Sequence, residues 1–302
     1  MPRSWGKKYN IKKGDELEVT ESGNKLIIDT QKGFTLNEVT IDVSNLDRTS
    51  VLLCVRSAYR KGYDLITLTY SNPLTTHLRI GKEIKVSSII NDEVLRLMGV
   101  EVVQQKENMC VIKSILEHSG KDFDTILRRI FILINEMVKD NVEGIKNNNR
   151  QLLETMEDRH DNVTRFISYA LRLLNKYNYQ DQQKIPTMYY LIASLEELVD
   201  ILKWVARDFL IFFTAKPGAE AIKVTEQIGL IFEKYYDLFY KYEEKKITGL
   251  YELRQEIIAK IYNPSNKPLK KFTPDELVLL NRMSQINELV VYLTQTKMIL
   301  EL

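Results

Sequence analysis

The sequence predicts an α+β N-terminal region followed by an all-α body of two tandem three-helix bundles. Three observations lead there. Before about residue 120, short alternating runs are punctuated by glycine and proline; beyond it, apolar residues recur at three- and four-residue spacing almost to the end. Lys216-Pro217-Gly218 breaks the helical half near its middle, which splits it three plus three and suggests a duplication. Thr273-Pro274-Asp275-Glu276 spells a capping box with proline at the first helical position, so a long helix opens there.

The elements follow in order. Pro2 to Asn10 reads as a short basic helix with proline in its first turn. Ile11-Lys12-Lys13-Gly14-Asp15 is a turn, and Glu16-Leu17-Glu18-Val19 alternates like a half-buried strand. Ser22-Gly23-Asn24-Lys25 turns again into a second strand, Leu26-Ile27-Ile28. Next come a helix over Val51–Tyr59, a strand over Leu65–Tyr70, a short helix over Glu93–Met98, and a strand pair, Val100–Val103 with Cys110–Lys113. From Lys121, about six helices are expected. They carry the stripes Phe123–Ile145, Leu152–Leu174, Pro186–Phe213, Val224–Phe239, Leu250–Ile261 and Leu277–Leu293. Asn263 to Pro268 is a loop. The domain expectation is 1–34 for the hairpin module, 35–118 for a small α+β linker domain, and 119–302 for the helical body. The two bundles would span about 121–215 and about 217–302.

Composition narrows the function. Among 302 residues, 43 basic side chains face 41 acidic ones, for a net charge of +2. That is no polycation, so any nucleic-acid contact must come from a local patch. Cys54 and Cys110 are isolated and read as free thiols of a reducing compartment. With three histidines and two cysteines, a metal here would be held by carboxylates. No signal-peptide pattern or apolar run of membrane-spanning length is present; Phe209–Phe213 is far too short. A cytoplasmic protein without membrane insertion is expected. No nucleophile constellation and no glycine-rich phosphate loop appears, so the chain reads as a non-enzyme.

Two groups of side chains carry candidate chemistry. Glu157 and Asp161 lie four apart on one helix, Glu196 and Asp200 four apart on the next. Facing pairs of this kind offer oxygen ligands to a divalent or trivalent ion. Equally, i,i+4 acids are common on solvated helix faces. His160 sits about 100° around the helix from Asp161 and is expected to be exposed or interhelical, not a ligand. The second group is Arg3, Lys7, Lys8, Lys12 and Lys13, which are suited to backbone phosphates without reading sequence. Asp15, Glu16, Glu18 and Glu21 follow them directly and offer a plain solubilising surface instead. Phe232, Tyr235, Tyr236, Phe239, Tyr240 and Tyr242 read as an aromatic core with rim tyrosines.

Two family resemblances rest on these segments. The helix, "IKKGDELEV" and "NKLII" together resemble the AbrB/MazE/SpoVT swapped-hairpin DNA-binding family. That family has another hairpin arm ahead of the helix, and this sequence starts at the helix, so the expectation is an incomplete module. "GYDLITLTY" and "LMGVEVVQQKENMCVIKSIL" resemble a linker domain between such a head and a PhoU body. "LETMEDRHDNVTRFISYALRLL" and "SLEELVDILKWVARDF" resemble the two signature helices of the PhoU family, duplicated bundles that bind metal clusters and take part in phosphate homeostasis. The resemblance makes Glu157, Asp161, Glu196 and Asp200 metal ligands. In the second bundle Glu252 and Glu256 would be weaker ones, because Val291 replaces the aspartate of the partner helix. Glu197, Val199 and Trp204 also depart from the family pattern. What the resemblance implies is a homodimeric, transcriptional regulator of phosphate uptake with DNA, a phosphate transporter or a signalling protein as partners. The alternative is an adaptor that acts on such a transporter without binding DNA.

Overall fold

A computed structural model describes residues 2–8, 10–22, 25–29, 37–115, 123–176, 181–262 and 272–302. The expected turn at Gly23-Asn24, the loop from Asn263 to Pro268 and the boundaries expected at 34/35 and 118/119 fall outside these residues. The chain divides into two compact units: Met1–His118 with Leu174–Ile185, and Ser119–Leu173 with Pro186–Leu302. A small N-terminal sheet region thus precedes a mostly helical remainder.

The first unit opens with helix α1 (Arg3–Lys8). It starts one residue after Pro2, whose carbonyl accepts the Gly6 N–H at 3.1 Å. Gly14 turns the chain with φ 101°, where a side chain would be strained. Strands β1 (Glu18–Ser22) and β2 (Lys25–Asp29) then pair antiparallel, with Val19 opposite Ile28. The first strand lies two residues later than its alternation suggested.

The core of this unit is a four-stranded sheet in the order β3-β4-β8-β7. Strand β3 (Glu38–Asp42), helix α2 (Arg48–Lys61) and strand β4 (Leu65–Thr69) form a crossover that sets β3 and β4 parallel. A crossover of this kind needs an intervening helix, and α2 supplies it. Its start is capped by Asp47, which accepts from the Thr49 and Ser50 N–H groups at 3.1 Å each. Its end is Gly62, at φ 99°. Strands β7 (Val100–Lys106) and β8 (Met109–Ser114) close the sheet as an antiparallel hairpin. Val51, Val55 and Tyr59 of α2 pack with Ile66 and Leu68 of β4 and Ile112 of β8. Each fully buried aliphatic side chain contributes about 1.5–3 kcal/mol.

Between β4 and β7 the sequence expectation is corrected. Helix α3 spans Val86–Leu95, seven residues ahead of the expected start, and Arg96–Met98 lie beyond it. Ile89, Ile90 and Val94 give it a buried stripe at helical spacing. Ahead of α3, β5 (Leu74–His77) and β6 (Lys82–Lys85) form a two-stranded hairpin of their own.

The second unit holds α4 (Phe123–Asn147), α5 (Arg150–Glu154), most of α6 (Met156–Lys176) and of α7 (Ile185–Phe212), α8 (Ala219–Tyr240), α9 (Glu244–Tyr262) and α10 (Pro274–Glu301). The stripe expected to make one helix from Leu152 to Leu174 is broken at Thr155, whose hydroxyl and N–H both donate to the Leu152 carbonyl. Helix α8 packs against α9, α10 and α4. Its contact with α4 is close: a Cβ on Gly229 would fall 2.9 Å from Val142 Cγ2. Phe131 of α4 meets Phe239 of α8 with ring centroids 4.5 Å apart. The capping box at Thr273 forms as the sequence indicates. Among the described residues, no helix is long and apolar enough to cross a membrane.

Candidate functional site

The acidic pairs of α6 and α7 lie where the two helices exchange polar contacts. Ile167, Leu171, Leu195, Leu198, Val199 and Leu202 are buried, which turns the intervening polar residues toward a shared, half-exposed edge. His160 is the centre of this edge. Its Nε2 lies 2.9 Å from Asp200 Oδ1, and its Nδ1 lies 3.1 Å from Asp161 Oδ1. Lys203 Nζ donates to Asp200 Oδ1 at 2.6 Å and stands 3.0 Å from His160 Nε2. Thr164 Oγ1 lies 3.5 Å from the same nitrogen. One turn toward the start of α6, Glu157 accepts from Arg207 of α7 at 2.5 Å. Trp204 borders this edge, with the Lys203 ammonium 5.9 Å and the Arg282 guanidinium 5.4 Å from the ring centroid.

Electrostatics follow from these contacts. Burial of His160 pulls its pKa down, but the carboxylates of Asp161 and Asp200 outweigh burial and the nearby Lys203, so the net shift is upward. Burial by itself would raise the Asp200 carboxyl. Hydrogen bonds from His160 and Lys203 instead hold it down, to about 2. With His160 protonated, its two N–H groups donate to Asp161 and Asp200. Three carboxylates (Glu157, Asp161, Asp200) then face three cations (His160, Lys203, Arg207), and the cluster is neutral.

This arrangement bears on a metal. A hard cation needs carboxylate oxygens free to enter its shell. Here Asp200 Oδ1 takes hydrogen bonds from two donors, Asp161 Oδ1 faces His160, and Glu157 is held by Arg207. Among the described residues, no group of three or more His, Cys, Asp or Glu side chains is placed to hold a metal ion. The donor set therefore does not fit a metal as it stands.

The remaining candidates are placed as follows. Glu196 is half-buried one turn before Asp200 on α7. Glu252 and Glu256 are exposed on α9; the polar contact made there belongs to Arg254 between them, which donates to Glu288 of α10 at 2.6 Å. Val291 is half-buried on α10. Arg3, Lys7 and Lys8 belong to α1 and Lys12 and Lys13 to the turn after it; Arg3, Lys7, Lys12 and Lys13 are exposed. The Lys12 N–H donates to Asp15 at 2.7 Å, which fixes the turn that carries both lysines. Phe232, Tyr235 and Phe239 are buried, and Tyr240 lies at the rim.

Sequence reasoning found the carboxylates and missed the cations that hold them. Lys203 and Arg207 follow Asp200 at three and seven residues, on the α7 face that turns toward α6, and that periodicity was the available signal. His160 is interhelical, yet it also reaches its neighbour Asp161. Compared with protein-family models, with curated proteins and with solved structures, the chain matches none.

Proposed function

We propose that this chain is a DNA-binding regulator of phosphate homeostasis, with a basic N-terminal head and a helical body that senses ligand or partner status on α6 and α7. The observation that carries the reading is the ion-paired cluster of Glu157, Asp161, Asp200, His160, Lys203 and Arg207. It joins the two helices that resemble PhoU signatures. A metal or an anion entering there must displace an ion pair between α6 and α7, and so acts on the packing of the body. In this reading the body is two tandem three-helix bundles, the chain is no enzyme, and a metal enters only by displacing Lys203 and Arg207 from their carboxylates. The exposed apolar side chains Val19, Leu26 and Ile28 of the β1–β2 hairpin support association with a second copy of the chain.

The exposed Ile211 and Phe212 at the end of α7 favour the adaptor alternative, in which the body docks a transporter or signalling protein.

The test is duplex binding by the full chain across a salt series, with metal analysis in parallel. Salt-dependent binding that weakens on Lys12→Ala with Lys13→Ala supports the regulator. Absence of duplex binding overturns it in favour of the adaptor. Bound metal that drops on Glu157→Gln with Asp161→Asn brings a metal into the sensing site; equal metal in both proteins removes it.

A further inference from the structure

The β5–β6 hairpin is built as an arm. Its base is fixed to the first unit. Thr75 Oγ1 donates to the Leu46 carbonyl at 2.6 Å, the Val86 N–H donates to the Pro73 carbonyl at 3.0 Å, and Ile84 packs on the core. Its tip is open. The connection reads Leu78-Arg79-Ile80-Gly81, and the N–H groups of Ile80 and Gly81 donate to the His77 carbonyl at 3.1 and 2.9 Å. Gly81, at φ 63°, meets the conformational need of the turn. Nothing in that need calls for two large aliphatic side chains in water, yet Leu78 is 72% and Ile80 57% exposed.

Charge surrounds these two residues. Arg79 lies between them, Lys82 and Lys85 follow on β6, and Glu83 is the one acid among them. Among the described residues, none of the three cations is held in an ion pair. An aliphatic wedge set among cations at the end of a two-stranded ribbon suits a grooved polyanion. Strand-based DNA binders use the major or the minor groove. Leucine and isoleucine are wedge residues that part base steps from the minor groove, and lysine and arginine beside them displace counterions from phosphates. A lipid surface is matched less well, because elements that lie in a membrane interface bury a broad apolar helix face, and this tip offers only Leu78 and Ile80.

We infer that the β5–β6 hairpin is a second DNA-contacting arm. Arg79, Lys82 and Lys85 lie against phosphates, and Leu78 and Ile80 press into the minor groove. The inference rests on the reading of the chain as a DNA-binding protein, but it involves residues far in sequence from the basic head.

The experiment uses the full chain and a mixed-sequence duplex labelled at both ends, so that anisotropy reports binding and energy transfer reports bending. Arg79→Ala is expected to lower the slope of log affinity against log salt by about 0.9. Leu78→Ser with Ile80→Ser is expected to weaken binding about tenfold and to abolish the bend. Both sites are exposed, and an unchanged melting curve confirms that each variant is folded. Arm variants that bind and bend like the parent overturn the inference. So does flotation with vesicles of anionic phospholipid that is lost in Leu78→Ser with Ile80→Ser while duplex binding is unchanged. If only Lys12→Ala with Lys13→Ala weakens binding, the arm fails and the regulator stands. If only the arm variants do, the arm stands and the head loses its role. A parent protein that binds no duplex removes both.

Discussion

His160 Nε2 on α6 lies 2.9 Å from Asp200 Oδ1 on α7, so a single imidazole ties the two helices that carry the candidate site. The raised pKa of His160 means that the folded state favours its protonated form. That contribution is fully present below its unfolded value of about 6.5 and is lost as pH rises through the higher folded value. Asp200 is depressed from 3.8 to about 2, so its contribution is present above 3.8 and fades as pH falls toward about 2. Denaturant unfolding across pH should show stability declining above pH of about 6.5, and His160→Gln should remove that decline. A variant with the parent's slope there would detach His160 from the effect.

Glu276 caps two helices at once. Its Oε2 accepts from the Thr273 N–H at 2.7 Å and its Oε1 from the Gly218 N–H, ahead of α8, at 2.6 Å. The side chain is buried, so Glu276→Ala leaves two donors without acceptors, at a cost of about 2–4 kcal/mol. Glu276→Gln keeps one acceptor and is expected to cost about 1 kcal/mol. Equal losses in the two variants, measured by chemical denaturation, would refute the double cap.

Gly229 lets α8 approach α4. Replacing a helical glycine by alanine usually gains about 1 kcal/mol. Here the new methyl meets Val142 Cγ2 at 2.9 Å, so Gly229→Ala is expected to destabilise by about 1–2 kcal/mol net. Adding Val142→Ala should recover most of that loss, and a rise in Tm for Gly229→Ala alone would contradict the close approach.

In the first unit, Arg56 grips the buried Glu93 carboxylate through Nε at 2.7 Å and Nη2 at 3.1 Å. Glu93 is 1% exposed, so Arg56→Ala strands a charge and is expected to cost about 3–5 kcal/mol. Replacing both residues by methionine should cost far less. Similar losses in the single and double variants would show that packing, not the stranded charge, sets the cost.

Legibility in the sequence followed the range of the interactions. The stripe of α4 and the Thr273 capping box arise within a few turns of one helix, so spacing and local chemistry reveal them. Strand β3 was passed over although Val39 and Ile41 alternate, because its partner β4 lies across a whole helix. The β5–β6 hairpin escaped because Leu78-Arg79-Ile80 carries little of the chemistry that marks turns. At the site, the i,i+4 acids were visible. The Lys203–Asp200 pair at i,i+3 was within reach of spacing, but the contacts of Arg207 with Glu157 and of His160 with Asp200 were not, since each needs α6 laid beside α7.

Local sequence by itself determined that the second half of the chain is helical, that its last helix opens at Thr273, and that Glu157, Asp161, Glu196 and Asp200 share faces, because those properties depend on neighbours within a turn or two. Tertiary structure alone decided that Asp161 and Asp200 meet at His160, that Arg207 reaches Glu157, and that Leu78 and Ile80 stand exposed on an anchored arm. Those outcomes depend on the register of one element against another distant in the chain, and many side chains packing together set that register, which no short motif encodes.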